Sequence, residues 1–187
     1  MIKDCIKCDI SILRTNIVNG KGNPDASLML IGEAPGYFED KHATPFYHEA
    51  SAGSLLQTLL DKYKFNRDDI FITNVIKCRP PNNRTPNLVE VRNCREHLLA
   101  EIKMVNPTII MLLGRVALQS FFNKSLSIRR SRGRFIKVGS TYIIATYHPS
   151  YINYNKETGL YKSLLTDIND DFRKVYKLYK ILINPLY

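Results

Sequence analysis

Hydrophobic positions along this chain follow two spacings. Four short segments, Ser27–Gly32, Ile70–Val75, Thr108–Gly114 and Thr141–Thr146, are apolar nearly throughout and rich in branched side chains. Short runs of this kind predict strands buried on both faces of a sheet. Between them the apolar residues recur at helical spacing. Leu55, Leu56, Leu59, Leu60 and Tyr63 form one stripe. Val91, Leu98, Leu99, Ile102 and Val105 form a second, opened by Pro86-Asn87 and closed at Asn106-Pro107. A shorter helix is predicted over Arg115–Phe122, directly after the Gly114 turn. The last runs from Leu160 to Ile183, where Leu164, Leu165, Ile168, Phe172, Val175, Leu178 and Leu182 keep register. Strands alternating with helices predict an α/β fold around a mainly parallel, four-stranded central sheet. No internal repeat, long linker or low-complexity segment interrupts the pattern, so a single domain over 1–187 is expected.

In sheets of this class functional groups collect at the carboxyl ends of the strands. The residues there are Glu33-Ala34-Pro35-Gly36, Asn74–Pro80, Gly114-Arg115 and Thr146–Ser150. Three of these four segments carry the polar residues, glycines and prolines that a site needs. Composition adds a partner class. Lys and Arg outnumber Asp and Glu by 27 to 17, for a net charge of +10. That balance suits a polyanion, whose neutralised phosphates release condensed counterions, although charge alone also serves solubility. No stretch approaches the roughly 20 apolar residues that span a bilayer, and the first residues lack the apolar core of a secretory signal. A soluble, intracellular, monomeric protein without membrane contact is expected.

The four cysteines are Cys5, Cys8, Cys78 and Cys94. An intracellular chain rarely uses them for disulfides. Cys5 and Cys8 have the close spacing of metal ligands, which favours a four-thiolate site over unrelated buried thiols. Spacing does not separate zinc from an iron–sulfur cluster.

Longer motifs narrow the choice. Gly32-Glu33-Ala34-Pro35-Gly36, followed by Glu39-Asp40 and Pro45-Phe46, resembles the first motif of the family 4 uracil-DNA glycosylases, the iron–sulfur members of their superfamily. Thr73–Pro81, with Asn83-Arg84 and Pro86 after it, is similar to the second motif, and Thr146-Tyr147-His148-Pro149-Ser150 to the third. Gly53–Leu56, Arg132-Gly133-Arg134 and the order of the cysteines also match, so the resemblance runs from Cys5 to about Tyr151. One departure is the five-residue stretch Tyr47–Ser51, where the family uses three residues before its Ala-Gly pair.

The resemblance implies a three-layer α/β/α sandwich, a 4Fe–4S cluster on Cys5, Cys8, Cys78 and Cys94, and uracil-containing DNA as substrate, single- or double-stranded. It implies hydrolysis of the bond between uracil and deoxyribose, with the base flipped from the stack. His148 would donate to the uracil oxygen and stabilise the departing anion. Glu33 would hold the attacking water. Asn74 would read the uracil edge, Phe46 would stack on its face, and Gly32, Ala34 and Gly36 would line the pocket. Glu39 occupies the place that guards against the 5-methyl of thymine. Arg132 and Arg134, within the basic run Ile128–Arg134, would contact phosphates, and Tyr151 would enter the gap left by the flipped base. The alternative is a non-catalytic iron–sulfur protein that binds nucleic acid. It has no use for Glu33, Asn74 and His148 together at strand ends.

Overall fold

The computed structural model describes residues 2–183; the outermost residues of the expected 1–187 span lie outside them. Six strands form one sheet: β1 (Lys21–Gly22), β2 (Leu28–Gly32), β3 (Phe71–Asn74), β4 (Ile109–Leu113), β5 (Ile136–Val138) and β6 (Thr141–Thr146). Their spatial order is β1-β3-β2-β4-β6-β5. The inner four are parallel to one another, and β1 and β5 add antiparallel edges. The patterning predicts only the inner four. The edge strands are two and three residues long with wholly exposed residues, so they carry no apolar signal.

Alternation along the parallel strands divides the core. Leu28, Leu30, Ile72, Ile109, Met111, Leu113 and Ile144 face one side. There they meet α2 (Ser51–Lys62), α6 (Pro149–Tyr154) and α7 (Tyr161–Ile183) through Leu56, Leu60, Ile152, Ile168 and Phe172. Met29, Ile31, Phe71, Ile110, Leu112 and Ile143 face the other side. They pack on α3 (Leu88–Val105) and α4 (Arg115–Phe122) through Leu98, Val105, Ala117 and Leu118. Helices therefore cover both faces, in three layers.

Capping chemistry sets the helix ends. The Asn87 side chain accepts the Glu90 N–H, and the Glu90 carboxylate accepts the Asn87 N–H in return, which starts α3. Asn106 ends it in the left-handed conformation, with φ of 47°. Two further short helices, α1 (Tyr37–His42) and α5 (Ile128–Ser131), are too brief to leave a periodic trace in the sequence. No helix among the described residues is long and apolar enough to cross a membrane.

The order of the strands positions the site. From β2 the chain passes to β3 on one side, then crosses to β4 on the other. This reversal opens a crevice at the carboxyl ends of β2 and β4, where ligands bind in open parallel sheets.

Candidate active site

Three strand ends deliver the central residues. Gly32 ends β2, Asn74 ends β3 in register with it, and His148 lies two residues beyond β6. The ends are tied together, since Val75 N–H donates to Gly32 O at 3.0 Å and Gly114 N–H to Thr146 O at 2.8 Å. Gly32 is required by closeness. A Cβ there would stand 2.3 Å from Asn74 Oδ1 and 2.6 Å from the Phe46 ring. Gly114 is required twice over, by its φ of +96° and by a Cβ position 2.9 Å from His148 Cβ. The two glycines let an amide, an aromatic ring and an imidazole converge. The Phe46 and His148 rings lie 5.4 Å apart, tilted by 33°.

Asn74 is 1% exposed, yet neither Nδ2 nor Oδ1 of its amide has a hydrogen-bond partner among the described residues. Buried polar groups are normally satisfied, and each orphan costs about 1–3 kcal/mol. An amide held out of water with its donor and acceptor both free is prepared for a partner that brings the complementary pair.

His148 has a defined tautomer. Ser150 N–H donates to His148 Nδ1 at 3.2 Å, and the Ser150 hydroxyl lies 2.7 Å from the same atom. Nδ1 is therefore an acceptor, so the neutral ring carries its proton on Nε2. Burial pushes the imidazole pKa down to about 4, which keeps it neutral near pH 7. The result is a neutral N–H donor beside the Phe46 ring.

Glu33 directly follows β2. Burial raises its pKa above the ordinary 4.5, against the charge of Arg115 and a hydrogen bond from Thr85. Ala34 packs against the core beneath it.

Glu39 has a different position from that of a free gate. Its carboxylate accepts Gly36 N–H at 2.6 Å and Phe46 N–H at 2.5 Å, so both oxygens are committed to the backbone. It thereby supports Phe46, which holds an uncommon φ of +49°. Arg67 clamps the same loop by donating to Pro45 O at 2.6 Å and Phe46 O at 2.7 Å. The longer stretch after Phe46 is taken up by a turn in which Ala50 N–H donates to Tyr47 O, leading straight into α2.

Arg132 is engaged within the protein. Its side chain is only 16% exposed, and the guanidinium donates to both oxygens of Asp171 at 2.8 and 2.9 Å and pairs with Asp167. Asp171 also accepts the Thr146 hydroxyl at 2.7 Å. Arg132 thus fastens its loop and β6 to α7 and commits most of its side-chain donors to Asp167 and Asp171. Arg134 is exposed, as are Arg129, Arg130 and Tyr151.

The four cysteines are free thiols, and all line one cavity between the N-terminal segment, the loop after β3 and α3. Burial raises the pKa of Cys8 and Cys78 and pushes Cys94 up to about 12. Arg14 donates to Cys78 Sγ at 3.5 Å and Cys5 O at 2.7 Å, and His97 Nε2 lies 3.4 Å from Cys5 Sγ. Among the described residues, no three His, Cys, Asp or Glu side chains converge as ligands of a single ion. The thiols stand around the cavity walls instead. Together the four are the residues that could hold a thiolate-bound metal centre.

Sequence reasoning places Cys78 four residues beyond Asn74, which joins cavity to pocket, but it missed the lysine that bonds to both. Lys77 is 1% exposed, and its ammonium donates at 2.6 Å to Thr73 Oγ1, Asn74 O and Glu101 Oε2. Its backbone also hydrogen-bonds Cys94. The only available signal was a lysine inside the apolar run Val75-Ile76-Lys77-Cys78. The same holds for Asp40, which accepts Thr15 and Asn16 N–H at 3.0 Å.

A sequence profile of the Uracil DNA glycosylase superfamily matches residues 19–173. The Type-4 uracil-DNA glycosylase of Thermotoga maritima is 43% identical over 169 residues, covering 89% of this chain and 87% of that protein. The Type-4 enzyme of Archaeoglobus fulgidus is 37% identical over 185 residues, covering 95% and 89%. A Type-5 uracil-DNA glycosylase from Pyrobaculum aerophilum is 30% identical over 149 residues, covering 72% and 66%.

Proposed function

This chain belongs to the uracil DNA glycosylase superfamily, and from that premise we propose that it excises uracil from DNA with Asn74, Phe46, His148 and Glu33 as its working residues. The observation that carries the assignment is the buried, unpartnered amide of Asn74 beside a neutral N–H donor. Uracil presents an acceptor at O4 and a donor at N3. Asn74 Nδ2 donates to the first and Oδ1 accepts from the second. Cytosine reverses both and leaves the amide unpaired, which can cost about 10⁴-fold in rate. A non-catalytic DNA-binding protein gives that amide nothing to do.

Phe46 stacks on the flipped base and fixes its plane. As the bond from N1 to C1′ breaks, its electron pair passes to the uracil ring and spreads onto O2. His148 Nε2–H donates to that oxygen, a stabilisation worth about 3–4 kcal/mol. The Glu33 carboxylate supports the cationic sugar and orients a water. That water adds to C1′ and gives its proton to Glu33, leaving an abasic site. Glu39 acts on the base through Phe46, whose backbone it holds. Arg134 contacts a phosphate, and Tyr151 fills the gap in the stack.

Cys5, Cys8, Cys78 and Cys94 fit a 4Fe–4S cluster. When bound, it supplies a covalent tie between three chain segments. Burial keeps Cys94 protonated in its absence, so loading releases protons.

The test is to incubate the protein with an oligonucleotide carrying one uracil and then treat with hot alkali. Scission at the uracil alone is expected, and an uncut strand would remove the enzyme reading.

A further inference from the structure

Helix α1 inverts the usual distribution of residues. Its acidic residues Glu39 and Asp40 are 8% and 3% exposed, whereas its aromatics Tyr37 and Phe38 are 51% and 48% exposed. The burial is well supported, because backbone N–H groups of Gly36, Phe46, Thr15 and Asn16 satisfy the two carboxylates. Those bonds hold the rings outward.

The rings form one patch, edge to face, with centroids 5.2 Å apart. A cation is fixed against it. The Arg79 guanidinium carbon lies 5.1 Å from the Tyr37 ring centroid, and Arg79 Nε donates to Asn83 Oδ1 at 2.7 Å. Tyr37 follows the Gly36 turn after β2, and Arg79 lies five residues beyond Asn74 on the segment leaving β3. The patch therefore grows from the two strand ends that carry Glu33 and Asn74. Arg134 and Tyr151 flank β6, on the opposite side of β2.

Aromatic faces held beside a guanidinium suit a nucleobase with its phosphate. Stacking supplies affinity without sequence preference, and the cation adds to it. In a chain of net charge +10 this chemistry favours a nucleic acid over an apolar protein surface. Only an unpaired strand can offer the rings a base face, because each base in a duplex is covered on both sides by its neighbours. We propose that Tyr37, Phe38 and Arg79 form a stacking platform for an unpaired base flanking the target uracil, and that it biases the protein toward single-stranded DNA. The proposal rests on the uracil-excision reading above.

The test uses the cluster-loaded protein and the variants Tyr37→Ala/Phe38→Ala and Tyr37→Leu/Phe38→Leu. The leucine pair keeps apolar area but removes the aromatic faces. Uracil release is measured on single-stranded and duplex oligonucleotides of one sequence, with the fluorescent base 2-aminopurine placed on either side of the uracil. The ratio of single-stranded to duplex kcat/KM falls about tenfold in both variants. Quenching of 2-aminopurine on one side of the uracil is lost with it. A ratio that stays constant, whether both substrates weaken together or neither does, overturns the platform and leaves the patch to another partner. If the wild type releases no uracil, the underlying reading fails. One-sided quenching, present in the wild type and lost in the variants, then still decides the platform.

Discussion

Replacing Asn74 by leucine should make the protein more stable and inactive. Leucine has the same branching as asparagine and takes its place against the Gly32 backbone, where Gly32 has no Cβ to obstruct it. It removes two buried polar atoms that have no partner among the described residues. At about 1–3 kcal/mol for each unsatisfied group, with part of the gain offset by imperfect packing, unfolding free energy should rise by about 2 kcal/mol. A urea titration reads this as a midpoint raised by about 1 M at unchanged slope. In a chain of this size Tm rises by roughly 4–8 °C. Uracil release, measured in single turnover on a uracil oligonucleotide, falls about 10⁴-fold. A lower urea midpoint at unchanged slope would refute the reasoning. It would mean that the amide is satisfied in the free protein, so that the pocket stores no unpaired group for uracil.

Four further outcomes follow from the geometry. The acid limb of the single-turnover rate should lie above pH 4.5, where burial has moved Glu33; Glu33→Gln abolishes it, whereas His148→Gln lowers the plateau about 10²–10³-fold without shifting it. A limb near pH 6.5 that vanished with His148→Gln would instead mean that the imidazole changes charge during turnover. The unfolded chain protonates His148 near pH 6.5 and the folded protein only near 4, so this residue costs stability as pH falls across that window, by up to about 3 kcal/mol. Urea unfolding at pH 7 and 4.5 should show a smaller loss in His148→Gln, and an identical loss in both proteins contradicts the buried neutral ring. Lys77→Met strands Glu101 and should destabilise by about 3–5 kcal/mol while weakening discrimination of uracil from cytosine, with Glu101→Leu in the same chain recovering part of the stability; a loss below about 1 kcal/mol removes Lys77 from its bridging role. Cys94→Ala should abolish visible iron–sulfur absorption and expose the Cys5–Cys8 segment to protease, and retained iron with intact absorption argues against Cys94 as a ligand.

The amino-acid sequence alone determined the inner strands, the boundaries of three of the longer helices and the placement of Glu33, Asn74 and His148 at strand ends. Those features depend on neighbours a few positions away. Apolar spacing marks a buried strand, and the Asn87–Glu90 exchange starts a helix whatever lies beyond it. Arg115–Phe122 agreed to the residue because Gly114 and Asn123 bracket it locally. The edge strands and the short helices α1, α5 and α6 escaped, since two to six residues carry too little periodicity.

Tertiary structure decided everything that depends on a distant partner. Arg132 reads as a phosphate contact until α7 brings Asp171 to it from 39 positions away. Glu39 is legible only as a pocket residue, and the fold alone shows its two oxygens on Gly36 and Phe46. The Lys77–Glu101 pair spans 24 positions, and His97 reaches Cys5 across 92. Such pairings follow from how helices seat on the sheet, which no local pattern records. The free amide of Asn74 belongs with them, because a missing partner becomes visible only when every neighbour has been placed.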